Sequence, residues 1–337
     1  MISVNGVTKQ FQDILAVDGV SFEVKQGEIV GFLGPNAAGK TTTMRIITGF
    51  LPPTRGKVTI DGVDVSEEPL KTKQKVGYMP ENPPVYPEMT VESYLKYAAD
   101  LKGIIGPKRK KEIERVIELV SLESVRKRLI ANISKGYKQR TGLAQALLGA
   151  PPVLILDEPT VGLDPAQIHE VRELIKSLAK EHTVILSTHI LAEVEMTCQR
   201  VIVIDHGRVV ADDSIDKIMT SASGASSLRV RVARANDISQ ALKQLNGVNS
   251  VTKDPQRENT FIVEGIITDE LRENIARVTV EGKYGLLALS DVQRKLEDVF
   301  LKLTEDAGGA ASVEKREASE GVEKSVEAIG KTETKEG

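Results

Sequence analysis

The 337-residue sequence contains no tryptophan, only 4% aromatic residues and a single cysteine. One cysteine cannot form an internal disulfide. Because Cys198 lies in the apolar stretch LAEVEMTC, we expect a buried structural thiol in a reducing compartment. Positive charge is not in excess, since 45 Lys and Arg residues face 48 Asp and Glu residues. The chain therefore lacks the positive field that attracts nucleic acid or anionic lipid, and no nucleic-acid partner is expected.

Long apolar runs are also missing. No uninterrupted apolar segment approaches the ~20 residues that a membrane-spanning helix requires. The N-terminal stretch MISVNGVTKQ has neither the basic region nor the apolar region of a secretion signal, so we expect a cytoplasmic chain. The length is sufficient for about two domains, each with its own core.

Strand and helix patterns alternate over residues 1–220, which predicts an α/β domain. Short strands alternate over residues 1–75, and the DG pair at Asp61 indicates a hairpin turn. Residues 84–150 have helical periodicity and predict an all-helical insertion. The apolar runs VLILD, TVILS and VIVID are rich in β-branched residues, which indicates buried parallel strands.

The remaining sequence predicts a smaller domain and a tail. Residues 221–227, SASGASS, are small and polar and are interpreted as a linker. Residues 228–305 alternate strand and helix patterns, which favours a small C-terminal α+β domain of split βαβ type. Residues 306–337 contain no aromatic residue and mix both charges with Gly, Ser and Thr, so this tail is predicted to be disordered.

The stretch GPNAAGKTT, residues 34–42, matches the pattern of a phosphate-binding loop between a strand and a helix. Its glycines allow backbone N–H groups to point inward, and the following helix adds the positive end of its dipole. Lys40 would reach the β- and γ-phosphates, and the Thr41 hydroxyl would bind Mg²⁺. A glycine-rich turn with a surface lysine is the less favoured alternative. The candidate nucleotide-binding residues here are Gly34, Pro35, Asn36, Ala37, Ala38, Gly39, Lys40, Thr41 and Thr42.

Acidic and imidazole side chains follow two of the predicted buried strands. Asp157 is suited to hold Mg²⁺, and Glu158 to polarise an attacking water, although the pair could instead cap the next helix. His189 follows TVILS, and strand ends line the ligand crevice of doubly wound sheets, where an imidazole can bond to the γ-phosphate. The other three histidines, His169, His182 and His206, are interpreted as structural or surface residues.

ISKGYKQR, residues 133–140, places a hydroxyl, a glycine and several cations at an apparent helix start. It is either a second anion site or a simple capped helix. Together with the phosphate loop, the acidic pair, GLDP at 162–165 and His189, it resembles the signature of the ATPase subunit of ATP-binding cassette (ABC) transporters. The resemblance covers residues 1 to about 220.

This resemblance implies a P-loop nucleoside triphosphate hydrolase cassette of the α/β class, with an antiparallel β subdomain and a helical insertion. It implies ATP and Mg²⁺ as cofactors, and two cassettes that face each other head to tail. In that arrangement Ser134 and Gly136 of one cassette close over the ATP held by the other, and Asp164 crosses the seam between them. The catalytic residues would be Glu158, His189 and Lys40.

Further positions carry over with departures from the family pattern. Phe11 matches the aromatic residue that stacks on adenine. Glu81 stands where most relatives have glutamine, and its carboxylate can still bind Mg²⁺ beside Thr41 and Asp157. Ala37 replaces the usual glycine, which is unfavourable if its φ angle is positive. Lys135 replaces the first glycine of the signature, as it does in some exporter relatives.

The resemblance also implies partners. The chain would be the ATP-hydrolysing subunit of an ABC transporter, as a homodimer or with a paralogous ATPase subunit. It would be bound to separate polytopic permease subunits at the inner face of the cell membrane. PENPPVYPEMT, residues 80–90, is the candidate contact with the permease. The ending LEDVFLKLTE resembles that of drug-export and gliding-associated ATPases, which favours an exporter.

Two other functions remain as alternatives. A soluble ABC-type ATPase could act on ribosomes or DNA, but such relatives usually carry two cassettes or a long coiled-coil insertion, and this sequence shows one cassette and no heptad insertion. A small-molecule kinase with a phosphate loop would leave ISKGYKQR and GLDP unexplained.

Overall fold

The computed structural model describes residues 2–221, 226–234, 238–255, 257–292, 296–297, 299–300 and 304. The described residues divide into two compact units: residues 2–215, 300 and 304 belong to the first, and those between 216 and 299 belong to the second. A strand begins at Ser226, inside the segment interpreted as a linker. The tail predicted to be disordered, residues 306–337, lies outside the described residues.

The strands of the first unit, in chain order, are β1 Ile2–Phe11, β2 Ile14–Val24, β3 Ile29–Leu33, β4 Arg55–Ile60, β5 Val63–Asp64, β6 Val76–Met79, β7 Val153–Asp157, β8 Thr183–Ser187, β9 Arg200–Asp205 and β10 Arg208–Ser214. The helices that accompany them are α1 Lys40–Ile47, α2 Pro69–Lys75, α3 Val91–Leu101, α4 Gly106–Leu119, α5 Lys135–Leu147, α6 Pro165–Leu178, α7 Leu191–Thr197 and α8 Ile215–Ser221, the last of which crosses the boundary between the units.

Two sheets organise the first unit. An antiparallel sheet has the order β2-β1-β4-β5, and Asp61 and Gly62 form the predicted hairpin turn with φ angles of 49° and 76°. A six-stranded sheet has the order β10-β9-β3-β8-β7-β6 and is parallel except for β10. Every residue of β3, β7 and β8 is buried, as expected for parallel strands that are covered on both faces.

The predicted helical insertion lies between β6 and β7 and contains α3, α4 and α5. A proline lies in the first turn of α4, where backbone N–H groups have no partner within the helix, so its lack of an N–H is not destabilising. The buried face of α4 is formed by Ile113, Val116 and Ile117. In the part of the chain that the structure describes, no helix has both the length and the hydropathy needed to span a bilayer. The Cys198 thiol is buried, and burial raises its pKa to about 12, as expected for a structural cysteine.

The second unit is an antiparallel sheet, and its two helices share a hydrophobic core with the sheet. Its elements are β11 Ser226–Val232, α9 Ser239–Lys243, β12 Val248–Lys253, β13 Thr260–Gly265, α10 Asp269–Glu281 and β14 Leu286–Asp291. The strand order β12-β13-β11-β14 is that of a split βαβ domain, which confirms the predicted α+β fold. Leu228, Val230 and Val263 from the sheet pack with Leu271 and Ile275 from α10 in its core.

Candidate functional site

The glycine loop, residues 34–42, connects the central strand β3 to α1. Its sharp curvature requires unusual backbone angles: φ is 65° at Ala37 and 103° at Gly39. A Cβ atom at Gly39 would lie 2.6 Å from the Ala16 carbonyl oxygen, so only glycine fits there. Gly34 packs even more closely against the Ile204 carbonyl oxygen. The glycines are therefore needed for close approach of neighbouring backbone.

Lys40 folds back over this loop. Its Nζ donates hydrogen bonds to the carbonyl oxygens of Gly34, at 2.6 Å, and Pro35, at 2.9 Å. Burial lowers the pKa of Lys40, while the nearby carboxylates of Glu158 and Asp157 oppose that change. A phosphate would be a stronger partner for this ammonium group than two neutral carbonyl groups.

A cavity of about 980 Å³ opens in front of the loop. Its volume suits a nucleotide-sized ligand. The residues that line it come from the glycine loop, the β1–β2 turn, the ends of β6 and β7, and the β9–β10 turn. They are Phe11, Asp13, Ile14, Leu15, Ala16, Asp18, Asn36, Ala37, Gly39, Lys40, Thr41, Thr42, Glu81, Asp157, Glu158, His206, Gly207 and Arg208.

Two acids lie at the floor of this cavity, where β7 ends. Asp157 Oδ2 and Glu158 Oε2 are buried and have no hydrogen-bond partner among the described residues. Burial raises the pKa of Asp157, although the nearby hydroxyls of Ser187 and Thr41 lower it. Buried carboxylate oxygens without partners are costly. A cation or a hydrogen-bond donor in the cavity would remove that cost.

His189 contacts the second of these acids. Its Nδ1 lies 2.8 Å from Glu158 Oε1, and the imidazole is 57% exposed whereas the Glu158 side chain is only 10% exposed. The contact forms because β7 and β8 are adjacent parallel strands, and the Glu158 N–H donates to the Ser187 carbonyl oxygen at 2.8 Å. His189 does not itself line the cavity.

The signature residues lie elsewhere in the first unit. Ser134 caps α5 by accepting from the Tyr137 N–H at 3.4 Å, and Asp164 caps α6 in a capping box with Gln167. Gly136 packs so closely on Gln167 that a Cβ atom would lie 2.7 Å from its Oε1. None of these residues lines the cavity of its own chain, and neither do Gly34, Pro35 and Ala38 of the loop.

The β9–β10 turn is a cavity wall that the sequence reasoning missed. His206, interpreted from sequence as a structural or surface residue, lines the cavity, and its Nδ1 lies 2.9 Å from Asp205 Oδ2. The Gly207 N–H donates to the Ala38 carbonyl oxygen at 3.0 Å, and Gly207 accepts from the Asp18 N–H at 2.9 Å. An HG pair between two strands indicates a hairpin turn, but not that the turn packs against the glycine loop.

Comparisons with known proteins agree with this geometry. Residues 17–161 match the ABC transporter family. The linearmycin resistance ATP-binding protein LnrL of Bacillus subtilis (strain 168) is 33% identical over 310 residues, which cover 90% of this chain and 98% of that protein. The Nod factor export ATP-binding protein I of Rhizobium sp. (strain N33) is 32% identical, with 90% of this chain and 96% of that protein covered.

A solved structure shares the fold of the first unit. It is a dimeric ATP-binding cassette in a post-hydrolysis state bound to ADP and Pi, with a TM-score of 0.59 and 26% identity, and it covers 64% of this chain and 99% of its own. The chain carries a phosphate loop and two acids at the end of β7. It also matches nearly the whole length of the two relatives named above. This chain belongs to the ATP-binding proteins of the ABC transporter family, as an ATP-binding and ATP-hydrolysing subunit.

Proposed function

We propose that the cavity binds ATP with Mg²⁺ and that Glu158 is the general base that activates the attacking water. The supporting observation is the Glu158–His189 pair: Oε1 is held by the imidazole at 2.8 Å, and the buried Oε2 has no partner among the described residues. An oriented carboxylate with one free oxygen can accept a proton from water. Nε2 of His189 would donate a hydrogen bond to the γ-phosphate when the imidazole is protonated, because only an imidazolium carries an N–H on both ring nitrogens.

The glycine loop would bind the phosphates. Lys40 would exchange its two carbonyl partners for the β- and γ-phosphates, which match its charge. Asn36, Ala37, Gly39, Thr41 and Thr42 line the same cavity and would contribute loop contacts, with the start of α1 behind them. Gly34, Pro35 and Ala38 would act by shaping the loop, because they do not line the cavity.

Phe11 would stack on the adenine base. Its ring lines the cavity and is 42% exposed, and Lys9 Nζ lies 5.1 Å from the ring centroid. An exposed aromatic face at a nucleotide-sized cavity suits a planar base.

The residues at the cavity floor fit Mg²⁺. Asp157 has a buried oxygen without a partner, the Thr41 hydroxyl is near it, and Glu81 lines the same cavity. No cluster of three or more His, Cys, Asp or Glu side chains among the described residues forms a metal site, so phosphate oxygens and water would complete the coordination. When bound, Mg²⁺ supplies positive charge that stabilises the phosphoryl oxygens.

A second cassette would complete the site. Ser134 and Gly136 begin α5 and Asp164 begins α6, all away from the cavity of their own chain. The exposed N-terminus of α5 presents N–H groups and a positive dipole end that suit a γ-phosphate held by the opposing copy. Asp164 would contact the seam between the copies. The partner would be an identical chain or a paralogous ATPase subunit.

Membrane permease subunits would be the other partners, with the chain located at the cytoplasmic face of the membrane. The names of similar proteins, a linearmycin resistance protein and a Nod factor export protein, favour an exporter. The proline-rich segment 80–90 is our candidate for the permease contact, since it starts beside the cavity residue Glu81 and carries the exposed Tyr86. Recovery with ribosomes or chromatin and not with membranes would favour the alternative soluble ATPase.

The Glu158→Gln variant tests the assigned base. The amide keeps the shape of the side chain but cannot accept the proton, so kcat should fall by about 10² to 10⁴. ATP should still bind, and the protein should accumulate as a dimer in light scattering. Glu173→Gln, at an exposed glutamate paired with Lys176 on α6, is the matched control. Turnover by Glu158→Gln equal to that of the control would contradict the proposal.

A further inference from the structure

Glu193 is a buried carboxylate that the proposed hydrolysis does not use. It lies in the first turn of α7 and is only 5% exposed. Burial raises the pKa of Glu193, the Thr160 and Thr188 hydroxyls oppose that change, and the nearby Glu158 charge adds to it. A carboxyl group in such a place is costly unless its contacts compensate.

Those contacts join two loops. Glu193 Oε2 accepts a hydrogen bond from the Thr160 hydroxyl at 2.7 Å and a second from the Thr188 hydroxyl at 3.4 Å. Both threonines are buried. Thr160 is the second residue after Glu158, and Thr188 immediately precedes His189. One oxygen atom therefore contacts the segments that carry both members of the proposed catalytic pair.

We infer that Glu193 is a positioning residue for ATP hydrolysis, which holds the Glu158 and His189 loops in register through Thr160 and Thr188. The inference rests on the catalytic roles proposed above. Glu158 and His189 are in contact across 2.8 Å, and a displacement of about 1 Å in a reacting group can cost about 10² in rate. The shared acceptor limits relative movement of the two loops.

The arrangement of these bonds argues against a role confined to the end of α7. An acidic residue in a first helical turn commonly interacts with the helix dipole. Here the shorter of the two bonds comes from Thr160, which lies 33 positions earlier in the chain. Thr160 also accepts from the Leu163 N–H at 3.1 Å, so the loop leading to Asp164 starts from a residue that Glu193 holds.

Steady-state kinetics of the full chain test this role through acceptor chemistry. Glu193→Leu removes the acceptor and should lower kcat about 10- to 100-fold, with KM for ATP changed less than about twofold. Glu193→Gln keeps a carbonyl oxygen that can accept both hydroxyls, so kcat should stay within about threefold of wild type. Glu195→Gln, at an exposed glutamate on the same helix, is the matched control.

The threonines provide an independent test. Thr160→Val should lower kcat more than Thr188→Val, because its bond is shorter, 2.7 Å against 3.4 Å. Wild-type kcat in a folded Glu193→Leu variant, equal losses in the Leu and Gln variants, or a rise in KM that matches the fall in kcat would each overturn the inference. If Glu193→Leu does not fold, a normal kcat in Thr160→Val overturns it.

The two proposals fail separately. An active Glu158→Gln variant would remove the proposed base and with it the pair that Glu193 positions. An inactive Glu158→Gln variant together with a fully active, folded Glu193→Leu variant would leave the general base in place and refute only the positioning role.

Discussion

Ala37 introduces backbone strain into the glycine loop. Its φ angle of 65° lies in the left-handed region, where a Cβ atom costs roughly 1–2 kcal/mol. Because this angle is positive, alanine in place of the usual glycine is unfavourable at this position. The neighbouring Ala38 does not have a positive φ and is 3% exposed.

Replacing Ala37 by glycine should therefore stabilise the protein. We expect Ala37→Gly to raise the free energy of unfolding by about 0.5–1 kcal/mol, since relief of strain exceeds the added entropy of the unfolded chain. Ala38→Gly should lower the free energy of unfolding by about 1 kcal/mol. The change removes a buried methyl group and increases the entropy of the unfolded chain, with no strain to relieve. Urea denaturation without nucleotide measures both, and a destabilised Ala37→Gly protein would contradict the assigned strain.

At the scale of elements, three helices meet at the C-terminal end of α5, whose other end carries Ser134. Lys102, just after α3, donates from Nζ to the carbonyl oxygen of Leu148 at 2.8 Å and of Ala146 at 3.3 Å. Arg115 of α4 donates to the Leu147 carbonyl oxygen at 2.9 Å. These cations satisfy the last carbonyl groups of α5 and complement its dipole.

The Lys102 contact predicts a pH dependence of stability. Burial lowers the pKa of Lys102 to about 8, with a smaller opposite effect from Glu112, while the ordinary value is 10.5. Between these values the unfolded chain binds a proton that the folded chain has lost, so higher pH favours folding. Relative to Lys102→Met, wild type should gain about 2 kcal/mol in the free energy of unfolding from about pH 7.5 to about pH 10.

Urea denaturation of wild type and Lys102→Met at several pH values measures this difference. Other titrating groups are present in both proteins and cancel. If the two stability curves stay parallel across this range, the lowered pKa of Lys102 is wrong.

The same helices show what a sequence pattern can predict at this scale. The 3.6-residue period and the early proline of α4 were sufficient to predict its existence and its buried stripe, because both depend on neighbours in sequence. The meeting of Lys102 and Arg115 at the end of α5 was not predictable. Long charged side chains on a helix surface have no period that specifies which distant carbonyl groups they reach.

At the scale of the whole molecule, the cavity of one chain contains the phosphate loop and the acids but not the signature residues. A chain with Ser134→Arg should have an intact cavity and a damaged surface for its partner. A chain with Glu158→Gln should have a damaged cavity and an intact surface for its partner. Either variant alone should show little ATP hydrolysis in a composite site, because every site then lacks one contribution.

Mixed dimers of these two variants should regain activity. In a mixed dimer one site combines an intact Glu158 from one copy with an intact Ser134 from the other, so turnover per dimer should reach about half of the wild-type value. Coexpression with two different affinity tags isolates this species. Activity no higher than that of either parent, in a dimer confirmed by scattering, would refute a site shared between copies.

The sequence by itself determined the order of strands, loop and helices, because that order rests on local periodicity. It also predicted Lys40, Asp157 and Glu158 as candidate site residues from the residue types that the chemistry requires, and all three line the same cavity. Only the tertiary structure showed the φ angle of Ala37, the cavity wall at His206 and the hydrogen bonds that Thr160 and Thr188 donate to Glu193. The cavity wall at His206 and the Thr160–Glu193 bond depend on packing between segments far apart in the chain, and such packing leaves no local pattern in the sequence.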